Sequence, residues 1–216
     1  AVKGRQEVLI WTDANLHAMR FTGPPLTFGF SLLASNVSII SPNSVVAVGD
    51  KMFWMDTENF YAYTGRVQVI PCTVLRYLFD DVNLDQSDKF FAASNKIFDE
   101  VLWFYASADS TEVDRYVKYN YTEGTWDIGT LARTAWVDHS IYTRPRACGL
   151  SDSANAVFIH ESGENDDGSA MSSYIESSDF DPGDGNNFMF VNRIIPDIDI
   201  TGTDSTVNYV LKTRDY

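Results

Sequence analysis

Short apolar runs separated by turn residues dominate the hydrophobic pattern of the chain. Val45–Val48 leads through Gly49 into Lys51–Met55, and Asp56–Asn59 then leads into Phe60–Tyr63. Runs of β-branched and aromatic residues that are bounded by Gly, Asp and Asn about every 8–12 residues are typical of sandwiches, barrels and propellers. The pattern therefore predicts an all-β fold.

Four of these runs align with one another, which indicates an internal repeat. Their large central residues are Ile10, Trp54, Trp103 and Phe158, at spacings of 44, 49 and 55 residues. Repeats of about forty to fifty residues with several strands each are typical of propeller blades. We therefore predict propeller-like, repeated antiparallel sheets, with each large residue in mid-strand between adjacent blades, where radial packing needs bulk.

One segment has a helical period instead. The apolar residues of Val74–Val82 fall on one helical face, with Thr73 as a candidate N-cap. This spacing predicts a short helical crossover between two repeats, and a second turn of helix is expected around Leu84–Lys89.

We expect residues 1–178 to form the propeller-like repeats and residues 179–216 to add strands to the same unit. The added strands are predicted at Phe188–Ile195, Ile198–Ile200 and Thr206–Lys212. A propeller avoids exposed edges by closing on itself, and four units or fewer close poorly. We therefore expect this chain to be a segment of a longer polypeptide, or to interleave with its neighbours.

Composition and charge narrow the possible functions. The chain has 216 residues, 30 of them acidic and 16 basic, for a net charge of −14. With 44% hydrophobic and 14% aromatic residues it has the apolar surface that disordered chains lack. Its longest apolar run, Val101–Ala106, is too short to cross a membrane. A pI near 4.4 argues against sequence-independent DNA binding, which relies on Lys and Arg.

The acidic charge is concentrated late in the chain. Between Leu150 and Asp204 there are twelve acidic residues and one basic residue, a local charge of −11. These residues are either solvated loops or a functional acidic surface, and some could hold Ca²⁺, which prefers oxygen ligands. The spacing is not that of an EF-hand. The candidates for a channel lining, an acidic loop or a cation site are Asp166, Asp167, Asp179, Asp181 and Asp184.

Catalytic motifs find no support in the sequence. No G-x-S-x-G elbow is present, and adjacent residues such as Asp138 and His139 point to opposite faces of a strand rather than forming a triad. The histidines show no ligand spacing. Cys72 and Cys148 could form at most one disulfide. We therefore predict a protein that is not an enzyme and needs no cofactor.

Two further motifs each allow two interpretations. Basic residues between Arg115 and Arg146 alternate with aromatic ones, which suits either a single-strand platform or a strand with one core face. Tyr121–Trp126 is similar to the Asp-box hairpin of sialidase-type propellers, but it is one residue short and has Glu in place of Asp. We favour an ordinary turn with Trp126 in the core.

Several strings of residues along the chain form a recognisable set: Phe53–Val67, Pro71–Cys72, Phe79–Asn83, Arg115–Trp126, Gly129–Trp136, Tyr174–Asp181, Arg193–Asp197 and Leu211–Tyr216. These strings resemble the packaged-DNA stabilisation and tail-nozzle proteins of short-tailed phages, and the resemblance covers most of the chain. It implies a propeller-bearing tail protein that forms a ring, sixfold in that family, below the portal and adaptor. The strings are structural and imply no active-site residues.

These observations lead to a functional hypothesis. The chain is expected to be a structural virion protein of a phage tail, a nozzle or plug ring that retains and conducts the packaged DNA. Its expected partners are other copies of itself, tail adaptor or portal-proximal proteins, and double-stranded DNA in passage. The alternative is a receptor- or glycan-binding propeller of the tail that is possibly hydrolytic.

Overall fold

A computed structural model of the chain describes residues 1–4, 7–139, 141–151, 154–163, 165–166, 168–170, 174–175, 177, 190–198 and 206–212. The contacts divide it into two units, Ala1–Glu164 and Asn165–Tyr216. The described residues of the first unit form four antiparallel sheets, each made of consecutive strands.

The first and second sheets each have four strands. Gly49 begins the two-residue hairpin between the first two strands of the second sheet, and its φ of +60° is one that glycine adopts without strain. The first sheet contains β1 (Val2–Lys3), β2 (Val8–Trp11), β3 (Asn15–Gly23) and β4 (Thr27–Ser35), and the second contains β5 (Val45–Val48), β6 (Lys51–Met55), β7 (Phe60–Tyr63) and β8 (Val67–Ile70).

A helical connection joins the second sheet to the third. It comprises helix α1 (Leu75–Asp81) and a 3₁₀ helix (Leu84–Lys89), as the sequence predicts. The N-cap of α1 is Val74 rather than the expected Thr73, and no side chain caps it. No helix in the described part of the chain is both long enough and apolar enough to cross a bilayer.

The third sheet has four strands and the fourth has three. The third sheet contains β9 (Phe91–Asn95), β10 (Glu100–Tyr105), β11 (Arg115–Asn120) and β12 (Trp126–Thr130), and the fourth contains β13 (Ala135–Val137), β14 (Arg146–Ser151) and β15 (Ala154–Ile159).

The sheets are stacked in chain order, and each neighbouring pair shares one apolar layer. In β6, Trp54 faces the first sheet and Phe53 faces the third. In β10, Trp103 faces the second sheet and Phe104 faces the fourth. Alternate side chains of one strand point to opposite faces, so a run that is apolar at every position fits a strand covered on both sides.

The first strands of the second, third and fourth sheets lie side by side, as the inner strands of propeller blades do. β9 lies beside both β5 and β13. The backbone N–H of Ala92 donates to the carbonyl of Asn43 at 2.8 Å, where the two segments run parallel. The predicted all-β class, with repeated antiparallel sheets and one short helical crossover, is confirmed.

Two details of the predicted repeat are wrong. Phe158 lies in β15, the third strand of its sheet, whereas Trp54 and Trp103 lie in second strands. The less apolar β14, with Arg146 and Gly149, takes the second place. Ile10 does not lie between two sheets, because it points to the outer side of the first sheet.

The second unit is described in part. Its described strands, β16 (Asn165–Asp166) and β17 (Ser169–Ala170), form a short hairpin. Residues 190–198 and 206–212 pair with no strand in the part that the structure describes, although strands are predicted there. The predicted boundary between residues 178 and 179 stays a prediction.

Candidate functional site

The first sheet has an apolar side that no other sheet of the first unit covers among the described residues. Direct cross-strand partners share a side of a sheet, and here Phe21 pairs with Phe28 and Met19 with Phe30. Phe21 is 70% exposed and Phe30 is 67% exposed. We call this side the first face. It consists of Lys3, Val8, Ile10, His17, Met19, Phe21, Phe28, Phe30 and Leu32.

The fourth sheet, at the other end of the stack, also has a side that none of the other described sheets of the first unit covers. Cys148 pairs with Val157, which is 62% exposed, and Arg146 pairs with Ile159. The guanidinium of Arg146 lies 4.1 Å from the ring centroid of Tyr142. We call this side the last face. It consists of Ala135, Val137, Arg146, Cys148, Leu150, Asn155, Val157 and Ile159.

The two faces differ in surface shape. The first face carries protruding aromatic rings, and those of Phe21 and Phe28 meet edge to face at 5.9 Å. The last face contains a hollow of about 390 Å³ that Val137, Tyr142 and Val157 help to line. Neither face includes an acidic side chain, although the chain carries a net charge of −14. Each face carries one basic residue, Lys3 on the first and Arg146 on the last, so two such surfaces can approach without repulsion between carboxylates.

The predicted acidic candidates lie almost wholly outside the described residues. The structure places Asp166 in β16 and describes its backbone only, and Asp167, Asp179, Asp181 and Asp184 are not among the described residues. A role for these five as a channel lining or a Ca²⁺ site therefore stays a prediction. No group of three or more potential metal ligands occurs among the residues that are described.

Other acidic side chains of the late, negatively charged stretch face solvent where they are described. Glu161 is exposed and accepts a hydrogen bond from Asn95 Nδ2 at 3.0 Å. Asp197 is also exposed.

Asp138 is the centre of a small polar cluster beside the fourth sheet. Ser94 Oγ donates to Asp138 Oδ2 at 2.7 Å, and His139 Nδ1 lies 3.0 Å from Oδ1. Burial acts to raise the pKa of Asp138, but the hydrogen bonds from Ser94, His139 and the Lys96 backbone outweigh it and lower the pKa. The aspartate separates the serine from the histidine, so this is not the order of a nucleophilic triad.

The two cysteines are free thiols. Cys72 borders a hollow of about 440 Å³ next to α1, together with Glu58 and Arg76. Burial raises the pKa of Cys72 to about 11, which keeps it protonated near neutral pH. A protonated thiol is a weak nucleophile, so this hollow has no activated cysteine.

Key basic side chains of the candidate nucleic-acid platform are paired with carboxylates. Arg115 Nη1 lies 3.0 Å from Asp81 Oδ2. Lys118 Nζ lies 2.8 Å from Glu100 Oε1 and 3.3 Å from Asp127 Oδ2. Burial acts to lower the pKa of Lys118, and the two carboxylates outweigh it and raise the pKa. A phosphate would have to displace these partners.

The aromatic residues of the same region serve the core. Trp126 is 9% exposed, and its indole Nε1 donates to the carbonyl of Pro71 at 2.8 Å. Tyr119 lies against Trp126, with ring centroids 4.7 Å apart. The core-face interpretation is therefore the one the contacts support, and Tyr121–Trp126 forms a turn that ends in a buried tryptophan.

Sequence reasoning missed the two open faces, although a signal for the first was present. Apolar Phe28, Phe30 and Leu32 alternate with Thr27, Gly29 and Ser31, which is the period of a strand with one apolar side. The alternation indicates that one side is apolar but says nothing about whether another sheet covers it.

Comparison with protein-family models finds no match to the chain, and comparison with curated proteins finds none either.

Proposed function

We propose that this chain is a non-catalytic structural protein of a phage virion. It acts in the tail, as part of a nozzle or plug ring that retains the packaged DNA and conducts it outward at ejection. The observation that carries the proposal is the pair of largely apolar faces, at opposite ends of one stack, that none of the described sheets of the first unit covers. Exposed apolar patches of this kind are typical of surfaces that assemble with other proteins.

The resemblance of Phe53–Val67 and Arg115–Trp126 to tail-nozzle proteins supports the tail as the location. It also implies the partners, which are other copies of the chain in a ring, sixfold in that family, and adaptor or portal-proximal proteins above it. The proposed virion location follows from the same resemblance.

The charge of the chain supports conduction of DNA rather than its capture. A net charge of −14 repels phosphate, and basic groups such as Arg115 and Lys118 are neutralised by neighbouring carboxylates. A conduit needs walls to which the DNA backbone does not adhere. We propose that the acidic residues between Leu150 and Asp204 supply such a wall.

The glycan-binding alternative has less support. The exposed aromatic residues of the first face are phenylalanines, which lack the polar groups that a sugar needs. The tryptophans Trp54, Trp103 and Trp126 are buried.

The proposal is tested in virions. Purified particles should contain the chain, and antibodies against it should label the tail. Particles assembled without it should package DNA and then lose it to nuclease, because the exit is not closed. A matched preparation with the gene restored should protect the DNA again. Absence of the chain from purified particles would refute the proposal.

A further inference from the structure

Within the first unit, successive sheets all pack in the same direction: the same side of each sheet faces the sheet before it, and the opposite side faces the sheet after it. The second sheet uses Trp54 toward the sheet before it and Phe53 toward the sheet after it. The third sheet repeats this with Trp103 and Phe104. Each sheet thus has a leading side that packs on the trailing side of the preceding sheet.

At its two ends the stack has one leading side and one trailing side that pack on no other described sheet of the first unit. The first face is the leading side of the first sheet, and the last face is the trailing side of the fourth sheet. Strands are spaced about 4.8 Å apart and alternate residues of a strand lie about 6.6 Å apart, so each residue on one side of a sheet covers about 32 Å² and the first face covers about 300 Å². A contiguous apolar patch of this size is comparable to the largest one on a typical soluble monomer, and such patches are often functional.

We infer that the first face of one copy packs against the last face of a second copy. This inference rests on the proposed function in one respect, that copies of the chain assemble with one another. The pairing repeats the leading-to-trailing contact that the chain makes three times between its own sheets. Pairing of two first faces would instead join two leading sides, which occurs at none of those contacts.

The surface shape and the charge of the two faces support a second copy of the chain as the partner. The rings of Phe28 and Phe30 protrude from the first face, and the hollow on the last face beside Val137 and Val157 can receive an aromatic side chain. Aromatic anchors that enter pockets dominate the binding energy of many interfaces. Neither face contains an acidic group, so two chains of strongly negative charge can meet there.

Such an interface is heterologous, because two different surfaces meet. Each copy then retains one first face or one last face for a further copy, until the assembly closes on itself. Heterologous contacts generate rings when the rotation between copies closes, which agrees with the proposed ring.

A mixing experiment tests the pairing. Phe30→Glu places a charge on the first face, and Val157→Glu places one on the last face. The wild-type chain should form assemblies larger than one chain in light scattering coupled to size-exclusion chromatography. Each variant alone should have the 24.3 kDa mass of one chain. An equal mixture should form a complex of twice that mass, because it retains one intact face of each kind.

The control is Val69→Glu, which makes the same change at an exposed strand position outside both faces, and it should assemble like the wild type. Circular dichroism should show the same β content in all four proteins. A wild-type chain that stays single would overturn the inference, and so would a Val157→Glu variant that still self-associates or a mixture that stays single. None of these results depends on whether the chain is found in virions, so the two proposals can fail separately.

Discussion

Tryptophan indoles join neighbouring sheets through single hydrogen bonds. Nε1 of Trp103 donates to the carbonyl of Ser44 at 3.0 Å, and Nε1 of Trp136 donates to that of Ser94 at 2.9 Å. In both cases the acceptor belongs to the preceding sheet or lies directly before it. Each ring thus fills the layer between two sheets and also fixes their spacing through a polar contact.

Replacing Trp103 by Phe should lower the free energy of unfolding by about 2 kcal/mol. Roughly half of this comes from the lost hydrogen bond and the rest from the smaller ring in a buried layer. Denaturation in urea, followed by circular dichroism, measures it.

Trp11→Phe is the matched control for this change. Nε1 of Trp11 is buried without a hydrogen-bond partner in the described part of the chain, so only ring volume is lost. The expected cost is about 1 kcal/mol or less. Equal costs for the two substitutions would contradict a stabilising role for the indole bond to Ser44.

At the scale of residues, the sequence predicts which apolar side chains lie in strands better than it predicts whether a second sheet covers them. Trp54 and Trp103 lie between sheets as predicted, because each sits in a strand that is apolar at every neighbouring position and so must be covered on both sides. Ile10 sits in a similar run but lies on the first face. The sequence cannot distinguish these cases, because coverage depends on a second sheet distant along the chain.

At the scale of elements, strands with strong β propensity were predictable and weaker ones were not. β6, β7 and β10 correspond to dense apolar runs that turns delimit. β14 carries Arg146 and Gly149, which weaken its apolar pattern, so the repeat in the sequence aligns with β15 instead. The acidic candidates are defined by composition alone, and composition has no periodicity that indicates where a side chain points.

The layer between the second and third sheets should be the most sensitive to loss of volume. Phe60 of β7 is 0% exposed, and its ring centroid lies 4.7 Å from those of both Trp103 and Trp126. Phe60→Ala should therefore cost about 3–5 kcal/mol of unfolding free energy, because a cavity is left among rigid rings. Urea denaturation measures the change.

Phe98→Ala provides the comparison, since it removes the same atoms from a turn residue that is 50% exposed. Its cost should stay near or below about 1 kcal/mol. If Phe60→Ala proved as mild as Phe98→Ala, the two sheets would not share the tightly packed layer described above.

At the scale of the whole molecule, the stack of sheets joins strong internal packing to two open ends. The internal layers are filled by aromatic residues that contact sheets on both sides, whereas the same alternation at the ends leaves Phe30 and Val157 in solvent. The local signals that specify each sheet do not specify how many sheets follow one another. The sequence therefore predicts repetition, while the structure is needed to show where the repetition stops.

The free thiols provide a readout of what covers the last face. At pH 8, Cys72 should resist iodoacetamide in every variant, because its pKa of about 11 leaves about one thiol in a thousand ionised. Cys148 lies on the last face and is exposed within one chain, so it should react in the Phe30→Glu variant. In wild-type protein, the first face of a neighbouring copy should protect it.

Phe30 and Cys148 lie at opposite ends of the stack, with the second and third sheets between them. Within a single chain, a charge at Phe30 has no route to the reactivity of Cys148, so any increase has to come from the loss of a neighbour. Peptide mapping by mass spectrometry gives the alkylation rate of each thiol, and Val69→Glu should leave Cys148 protected. Equal rates for Cys148 in wild-type protein and in Phe30→Glu would show that no second copy occupies the last face.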